Sequence, residues 1–296
     1  MTEGSAPPPP LVSVIVPHYE DLERLGHCLS ALEAQVGAPP FEIVVADNAS
    51  PCGSDAVERV LAGRARLTIA TDKGAGPTRN AGVAVARGTI LAFTDSDCVP
   101  EPGWLAAGVA ALQTADFVGG AMVVLVRDER RMTGAEAFER IFAFNNRRYV
   151  EELGFTVTAN LFCPRTLFDR VGGFRNGVSE DLEWCRRATS AGYRIGYAER
   201  AVVGHPARRN WKELVRKWSR INAETYALNA SGTGARVRWA LRTLALPLSI
   251  VGHAPRVLRS RAIGGLANRV RAMLTLVRLR LWRVVDSFKL LFRGGS

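Results

Sequence analysis

The sequence predicts an α/β fold with a mostly parallel sheet flanked by helices, and two features of its first hundred residues support this. Short apolar runs rich in β-branched residues alternate with segments of helical periodicity, which is typical of strand-helix-strand units. A polar cluster follows each apolar run. The apolar runs are residues 11–16, 41–46, 67–70 and 89–94, and the helical segments are residues 22–35, 56–61 and 78–87.

The polar clusters indicate one shared ligand site, because ligands of open parallel sheets bind beyond the carboxyl ends of the strands. The last cluster, Asp95-Ser96-Asp97, places two carboxylates two positions apart in a turn. Hard cations such as Mg²⁺ or Mn²⁺ prefer such ligands and bridge them to diphosphate oxygens. Taken alone, however, an Asp-x-Asp pair is more often a solvated turn. The clusters are residues 17–20, 47–50, 71–73 and 95–97.

Three further segments each have a ligand-binding and a structural interpretation. Asp47 could accept hydrogen bonds from a ribose or a base, but it also begins a good Asx turn. Residues 73–80 form a glycine-containing loop with two cations that leads into a helix, an arrangement that favours an anion such as phosphate without specifying it. Glu180 and Asp181 open a predicted helix, where acids complement the helix dipole or, alternatively, one acts as a general base.

Composition divides the chain into a leader, one large domain and a tail. Residues 1–10 are polar and Pro-rich without the pattern of a signal peptide, so we interpret them as a flexible leader. Residues 11–205 would form the domain, in which residues 11–98 carry the polar clusters and residues 99–205 would receive a second substrate, with a helical segment at 135–152. The five cysteines include no Cys-x-x-Cys pair, so they indicate neither a disulfide framework nor zinc, and a cytoplasmic location fits best.

Residues 206–296 form a basic, mainly helical tail. From His205 onward the chain has 19 Lys and Arg against three acids, which makes a charge of +16, while the preceding residues carry −5. No apolar run there is long enough to span a membrane. An apolar stripe with basic residues on its flanks predicts a helix that lies on an anionic membrane surface, or one that packs on the catalytic domain or on a second copy. The stripe comprises Leu266, Val270, Met273, Leu274, Val277, Leu281, Val284, Phe288 and Leu291, and the flanking residues are Arg269, Arg271, Arg278, Arg280, Arg283 and Lys289.

Taken together, in their order and spacing, these motifs resemble family 2 of the glycosyltransferases. The resemblance spans about residues 11–205 and implies a GT-A fold, a nucleoside-diphosphate sugar donor and a divalent cation, Mn²⁺ or Mg²⁺. It therefore favours the metal-binding interpretation of the Asp-x-Asp pair. It also implies that residues 11–98 form the nucleotide-sugar half of the domain and residues 99–205 its acceptor half. The matching segments are residues 12–19, 47–50, 76–82, 88–97, 172–174 and 180–181.

The resemblance also implies roles for individual residues. The nucleotide-sugar site would consist of Pro17, Tyr19, Glu20, Asp47, Lys73, Arg79, Asn80, Asp95 and Ser96. Asp97 would ligate the metal, Asp95 would contact the ribose or the water shell of the metal, and His205 would touch the metal or the diphosphate, although a lone histidine is as often structural. Asp181 would be the catalytic base with Glu180 in support, and Asn160 and Arg187 match acceptor-side positions.

The expected function is a metal-dependent, inverting transfer of one sugar from a nucleoside-diphosphate donor to an acceptor hydroxyl. His18 and Glu20 stand where many family members have other residues, which leaves the base specificity open, and the Gln-x-x-Arg-Trp signature of processive synthases is absent. Uridine diphosphate is the expected carrier by family frequency. The expected acceptor is a glycan or glycolipid of bacterial surface polysaccharide assembly, and a polyprenyl phosphate is an alternative within the same enzyme class.

Two other classes of function compete with this interpretation. An inactive scaffold that binds nucleotide sugar or membrane would not need Asp97 and Asp181, which are both present. The basic tail could bind nucleic acid, but the acidic catalytic region and the amphipathic spacing of the tail favour a membrane surface on the cytoplasmic side.

Overall fold

A computed structural model describes residues 10–229 and 234–293, so nearly all of the predicted leader lies outside the described residues. The chain forms two compact units. The first runs through Val123 and resumes at Asn145–His205, and the second combines Val124–Phe144 with the chain from Pro206 onward. The expected acceptor half therefore differs in one respect, because Val124–Phe144 belongs to the second unit.

The first four strands are parallel, and their bounds differ from the predicted ones by no more than two residues. They lie side by side in the order β3-β2-β1-β4 within a sheet of eight strands. Their carboxyl ends meet at one edge of the sheet, as the polar clusters predicted. The strands are β1 (Val12–His18), β2 (Phe41–Asp47), β3 (Arg66–Ile69) and β4 (Ile90–Phe93).

The helices between these strands are α1 (Leu22–Glu33), α2 (Ser54–Leu61) and α3 (Ala75–Val85). Asp21 caps α1 by accepting a hydrogen bond from the backbone of Arg24. Gly74 precedes α3 with a φ of 126°, which side-chain-bearing residues rarely adopt. Gly82 lets α3 approach β1 closely, since a Cβ there would lie 2.7 Å from the Ile15 Cγ2 atom.

The rest of the first unit extends the sheet with antiparallel pairs. β7 runs antiparallel to β4 and to β6, and β5 runs antiparallel to β8. The sheet is therefore mixed, and its parallel part lies within residues 11–98. The elements are β5 (Val99–Pro100), α4 (Trp104–Ala111), β6 (Phe117–Leu125), α6 (Asn146–Leu153), β7 (Leu161–Pro164), α7 (Arg165–Val171), α8 (Glu180–Ser190) and β8 (Ile195–Pro206), and α5 (Gly134–Phe142) belongs to the second unit.

Two apolar layers hold the first unit together, one on each face of the sheet. Successive residues of a strand point to opposite faces, so Val14 and Ile15 of β1 enter different layers. One layer includes Leu25 of α1 and Trp104 of α4, and the other includes Trp184 of α8. Burial on both faces explains why the parallel strands read as continuous apolar runs.

The second unit is a helical assembly around its own apolar core. Phe138 of α5, Leu214 of α9 and Leu276 of α12 are buried in this core. The single predicted helix over 135–152 is wrong, because it is two helices, α5 and α6, that belong to different units. The remaining helices are α9 (Trp211–Asn229), α10 (Ala235–Ala245), α11 (Leu248–Arg259) and α12 (Leu266–Arg293).

The apolar stripe predicted for α12 is only partly the buried face. Ala272, Leu276 and Leu279 enter the core, whereas Leu266 and Leu274 of the predicted stripe are exposed. Arg283 was expected on the flank but is buried, where it donates a hydrogen bond to Asn222. Among the residues described, no helix is long and apolar enough to cross a membrane.

Candidate active site

The loops after β1 and β2 are joined by a buried polar network. The Asp47 carboxylate binds His18 Nδ1 at 2.7 Å and accepts hydrogen bonds from the backbone nitrogen and hydroxyl of Ser50, at 2.8 and 2.6 Å. The same hydroxyl accepts from the backbone of Glu20 at 2.9 Å. Asp47 is 1% exposed, so in this structure its carboxylate is occupied by these protein groups.

The other residues predicted for the nucleoside pocket lie at the end of β1. Pro17 is part of that strand, and Tyr19 is 54% exposed just beyond it. Glu20 adopts a φ of 63°, in the left-handed region, which turns the chain sharply toward α1. The exposed Tyr19 ring beside a buried polar network suits a stacked planar group, and the binding roles of Pro17, Tyr19, Glu20 and Asp47 stay predictions.

The loop before α3 is held by asparagine side chains from two other segments. Asn48 donates to the carbonyl of Asp72 at 2.8 Å and accepts from the backbone of Gly74 at 3.0 Å. Asn176 donates to the carbonyl of Lys73 at 2.8 Å. The Lys73 side chain is exposed and has no carboxylate partner within the described ranges 10–229 and 234–293. A cation at this edge of the sheet is available to an anionic ligand.

Asp97 and His205 come together although 108 positions separate them in the sequence. Asp95, Ser96 and Asp97 form a turn after β4, and His205 Nε2 lies 3.7 Å from the Asp97 carboxylate. This distance is too long for a hydrogen bond. Two ligands about 2.1 Å from one cation lie roughly 3–4 Å apart, so the pair fits a shared divalent ion.

A third potential ligand, the Cys98 thiol, lies with Asp97 and His205 in one group whose ligand atoms are all within 4.8 Å of one another. Burial and the nearby carboxylates of Asp95 and Asp97 raise the pKa of this thiol well above its usual range. A protonated thiol is a poor ligand for Mg²⁺ or Mn²⁺. The oxygen and imidazole groups therefore carry the predicted metal site.

Arg79 is buried and binds two carboxylates of the predicted site. Its Nη2 atom lies 2.5 Å from Asp95 and its Nη1 atom lies 3.0 Å from Glu180. The next residue, Asn80, uses its side-chain amide for two hydrogen bonds with the backbone of Phe174, at 2.8 and 2.9 Å. The structure thus places both predicted residues in the site. There the terminal nitrogens of Arg79 and the amide of Asn80 bind other groups of the protein.

Asp181 lies in the first turn of α8. One of its carboxylate oxygens accepts hydrogen bonds from the Ser179 hydroxyl at 2.8 Å and from the backbone of Leu182 at 2.7 Å. Burial raises the pKa of this carboxyl, and the neighbouring Glu180 raises it further, although these hydrogen bonds and the charge of Arg79 lower it in part. A raised pKa is the property expected of a general base that works near neutral pH.

The two acceptor-side predictions need correction, because both side chains are occupied. Asn160 is fully buried, accepts from Trp104 Nε1 at 2.9 Å and donates to the carbonyls of Ala121 and Ala201, each at 2.9 Å. Arg187 binds Glu183 and the backbone carbonyls of residues 171–173. Neither arrangement leaves a polar group for a ligand, so both residues support the fold of the site.

Comparison with known proteins agrees with this geometry. The family model described as Glycosyl transferase family 2 matches residues 13–176. The chain belongs to this family. Glycosyltransferase AglE of Haloferax volcanii is 33% identical over 224 residues, which are 72% of this chain and 72% of that protein. The chain is thus a glycosyltransferase.

Other relatives extend over more of the chain at lower identity. The pre-mycofactocin glycosyltransferase of Mycobacterium tuberculosis is 26% identical over 276 residues, 89% of this chain but only 56% of that protein. Among solved structures, the mannosyltransferase PcManGT from Pyrobaculum calidifontis, in complex with GDP-Man and Mn²⁺, has a TM-score of 0.61 at 21% identity and covers 97% of this chain and 88% of its own. This likeness establishes the GT-A fold.

Several residues of the glycosyltransferase site were missed by the sequence analysis. Asn176 acts only through hydrogen bonds and meets a carbonyl 103 positions away, and Ser50, within the predicted cluster 47–50, was given no role of its own. Cys98 directly follows the Asp-x-Asp pair, so adjacency was a signal that could have found it. Arg24, whose guanidinium lies 3.9 Å from the Asp97 carboxylate, occurs in an ordinary helical segment without any such signal.

Proposed function

We propose that this glycosyltransferase transfers a sugar from a nucleoside-diphosphate donor to an acceptor hydroxyl with inversion at the anomeric carbon. The observation that carries the proposal is the pairing of two features within the first unit. Asp97 and His205 are spaced for one divalent cation, and Asp181 is a carboxylate whose pKa is raised by burial. Arg79 bridges the turn that carries Asp97 to the helix that carries Asp181, through Asp95 and Glu180.

The proposed chemistry is a single displacement. Asp181 takes the proton of the acceptor hydroxyl as its oxygen bonds to the anomeric carbon, and the bond to the diphosphate oxygen breaks with its electron pair leaving on the diphosphate. Asp97 and His205 would hold a divalent cation, Mn²⁺ or Mg²⁺, which when bound supplies positive charge for the departing diphosphate. The exposed Lys73 ammonium is a second source of such charge. An α-linked donor would thus yield a β-linked product.

The proposed donor and acceptor rest on what is frequent in the family, and two structural neighbours hold different nucleotide sugars. PcManGT holds GDP-Man with Mn²⁺, and the TarS structure of Staphylococcus aureus, with a TM-score of 0.50 at 18% identity, holds UDP-GlcNAc. We propose a uridine diphosphate sugar as donor, and Tyr19 as the aromatic residue that stacks on its base. The proposed acceptor is a glycan or glycolipid hydroxyl in surface polysaccharide assembly.

A donor screen tests this function and separates it from an inactive scaffold. Purified protein is incubated with a panel of nucleoside-diphosphate sugars and Mn²⁺, and the release of nucleoside diphosphate is measured. We expect release from one donor, its loss in excess chelator and its loss in Asp97→Ala. Ser30→Ala, at an exposed position near the end of α1, where among the described residues the hydroxyl binds only the Gly26 carbonyl, is the control that should keep full turnover. Undiminished release in chelator would contradict the metal-dependent mechanism.

We also propose that the second unit attaches the enzyme to the cytoplasmic face of an anionic membrane. The face of α12 opposite its buried residues carries large exposed apolar side chains, with Leu266, Val270 and Leu274 at every fourth position. Leu281 and Val285 continue this face after Arg278. Because the chain from His205 onward carries 19 basic residues against three acids, an anionic lipid surface is the complementary partner.

A further inference from the structure

Arg79 connects parts of the site that are distant in sequence. Its two carboxylate partners, Asp95 and Glu180, lie 16 and 101 positions further along the chain, one in the turn with Asp97 and the other next to Asp181. The Arg79 side chain is almost completely buried, whereas both carboxylates are partly exposed. One buried guanidinium therefore sets the distance between the proposed metal site and the proposed base.

The geometry of Arg79 argues against direct contact with the donor. Each terminal nitrogen donates one N–H to a carboxylate, the Nε atom is buried without a hydrogen-bond partner among the described residues, and the whole side chain is only 4% exposed. Burial alone would lower the pKa of this guanidinium, but the two carboxylates raise it above its usual value. Arg79 is thus a buried charged group, and the carboxylates of Asp95 and Glu180 compensate its positive charge.

Two further contacts join the same pair of segments. Asn80 holds the backbone of Phe174 through two hydrogen bonds, and Asn176 holds the carbonyl of Lys73. All of these contacts tie residues 73–80, which are the loop and first turns of α3, to residues 174–180, which lead into α8. The segment that carries Asp181 is therefore fixed by the segment that the sequence analysis assigned to the donor.

We propose that Arg79 is a positioning residue, which acts through Asp95 and Glu180 to hold Asp181 at a fixed place relative to Asp97. The inference rests on the proposed roles of Asp181 and Asp97 and goes beyond them by giving Arg79 a role other than nucleotide binding. A misplacement of about 1 Å costs on the order of 10²-fold in rate. Loss of Arg79 should therefore lower kcat and leave the affinity for the donor nearly unchanged.

A comparison of four single variants, and of the double variant that combines Arg79→Met with Glu180→Gln, tests this role. Arg79→Met removes the bridge, Arg79→Lys keeps the charge but lacks the planar fork that can bind two carboxylates, and Glu180→Gln breaks one of the two ion pairs. Arg64→Met is the matched control, because Arg64 likewise binds a carboxylate, that of Glu33, and backbone carbonyls, but away from the site. Donor affinity is measured by calorimetry with Mn²⁺ and uridine diphosphate, and kcat by release of nucleoside diphosphate.

The expected pattern is a roughly 10–10²-fold loss of kcat in Arg79→Met, with donor affinity within about twofold of the wild type. The double variant with Glu180→Gln should lose no more than Arg79→Met alone, because residues that act through one bridge are non-additive. The acid limb of kcat should also move to higher pH, since the Arg79 charge lowers the pKa of Asp181. A collapse of donor affinity with kcat spared, or multiplicative losses in the double variant, would overturn the proposal.

Hydrogen exchange provides a readout that does not depend on activity. In Arg79→Met and Glu180→Gln, amides of residues 174–182 should exchange faster than in the wild type, and Arg64→Met should leave them unchanged. Glu180 is partly exposed, so its variant is expected to fold even if Arg79→Met does not. Unchanged exchange in both site variants would overturn the proposal. If the wild type released no nucleoside diphosphate from any donor, the proposed function would fail while the exchange result would still decide the role of Arg79.

Discussion

At the residue scale, the carboxylates around the site differ in how closely their oxygens contact other protein groups. Asp47 and Asp95 make short contacts with neighbouring side chains. Asp97, in contrast, has its nearest basic groups at 3.7 and 3.9 Å. The second oxygen of Asp181 accepts no hydrogen bond from any described residue, because both hydrogen bonds of this carboxylate use the other oxygen. Asp97 therefore remains able to bind a metal ion, and Asp181 remains able to accept a proton.

The role of Asp181 predicts a coupled change in activity and stability. Asp181→Asn should lower turnover by roughly 10²–10⁴-fold, as expected for the loss of a general base, and leave donor affinity intact. Because the pKa of Asp181 is raised in the folded protein, the ionised carboxylate destabilises the fold at pH values above this pKa. The variant removes this cost, so its Tm should exceed that of the wild type near neutral pH.

The pH dependence of this Tm difference gives the control. Below the pKa of the unfolded chain, about 3.9, Asp181 is protonated in both states and the advantage of the variant should disappear. Thermal unfolding at a series of pH values measures this. A variant that is less stable than the wild type at neutral pH would contradict the assigned pKa shift, and one with lost donor affinity but normal turnover would make Asp181 a binding residue.

At the element scale, Asn160 connects four parts of the first unit. It lies in the turn before β7 and bonds to Trp104 of α4, Ala121 of β6 and Ala201 of β8. Of these elements, β8 contains His205, which our proposal assigns to the metal. The buried amide of Asn160 therefore holds the strand that carries a proposed metal ligand.

Asn160→Ala should therefore act on stability and not on acceptor affinity. It leaves the buried Trp104 nitrogen without its partner and removes one hydrogen bond from each of two backbone carbonyls, and such losses cost about 1–3 kcal/mol each. We expect a loss of roughly 3 kcal/mol or more in the free energy of unfolding, measured with urea. Asn210→Ala, at the exposed start of α9, should cost only about 1 kcal/mol. Normal stability with a raised KM for the acceptor would restore the acceptor-side role.

At the scale of the whole molecule, the two compact units differ in charge and in exposed apolar surface. The part of the chain before His205 is mildly acidic, whereas most basic residues of the second unit follow His205. Most of the large exposed apolar side chains of the second unit lie on α10, α11 and α12. Truncation of the tail would remove α12 from the core that it forms with α5, so surface substitutions are the better test of membrane binding.

Vesicle flotation should separate membrane attachment from self-association. The triple variant Leu266→Ser, Val270→Ser and Leu274→Ser should bind anionic vesicles at least several-fold more weakly than the wild type, because its exposed apolar face is lost. Wild-type binding should increase with the anionic lipid fraction and weaken with salt. Leu153→Ser, an exposed apolar residue of the first unit, is the matched control. The proposal would be contradicted if the wild-type protein dimerised in solution and did not bind anionic vesicles at low salt.

The sequence by itself determined the order and type of the elements in the nucleotide half. Periodicity is a local property: β1 and β2 are buried on both faces and read as continuous apolar runs, and α1 shows a helical repeat. The motif resemblance placed the Asp-x-Asp pair, and adjacency to a strand end placed Asp47. These inferences needed only neighbouring residues, and the parallel strands that they predicted are present.

Only the tertiary structure decided which polar side chains are already hydrogen-bonded to other groups of the protein. Arg79, Asn160 and Arg187 match positions of a binding motif, but their hydrogen bonds go to groups up to 101 positions away. The second unit shows the same limit, because Arg283 lies on a basic flank in the sequence and is buried in the fold. A one-dimensional pattern specifies which face of an element is apolar, but the partners of a buried polar group depend on which distant elements pack against it.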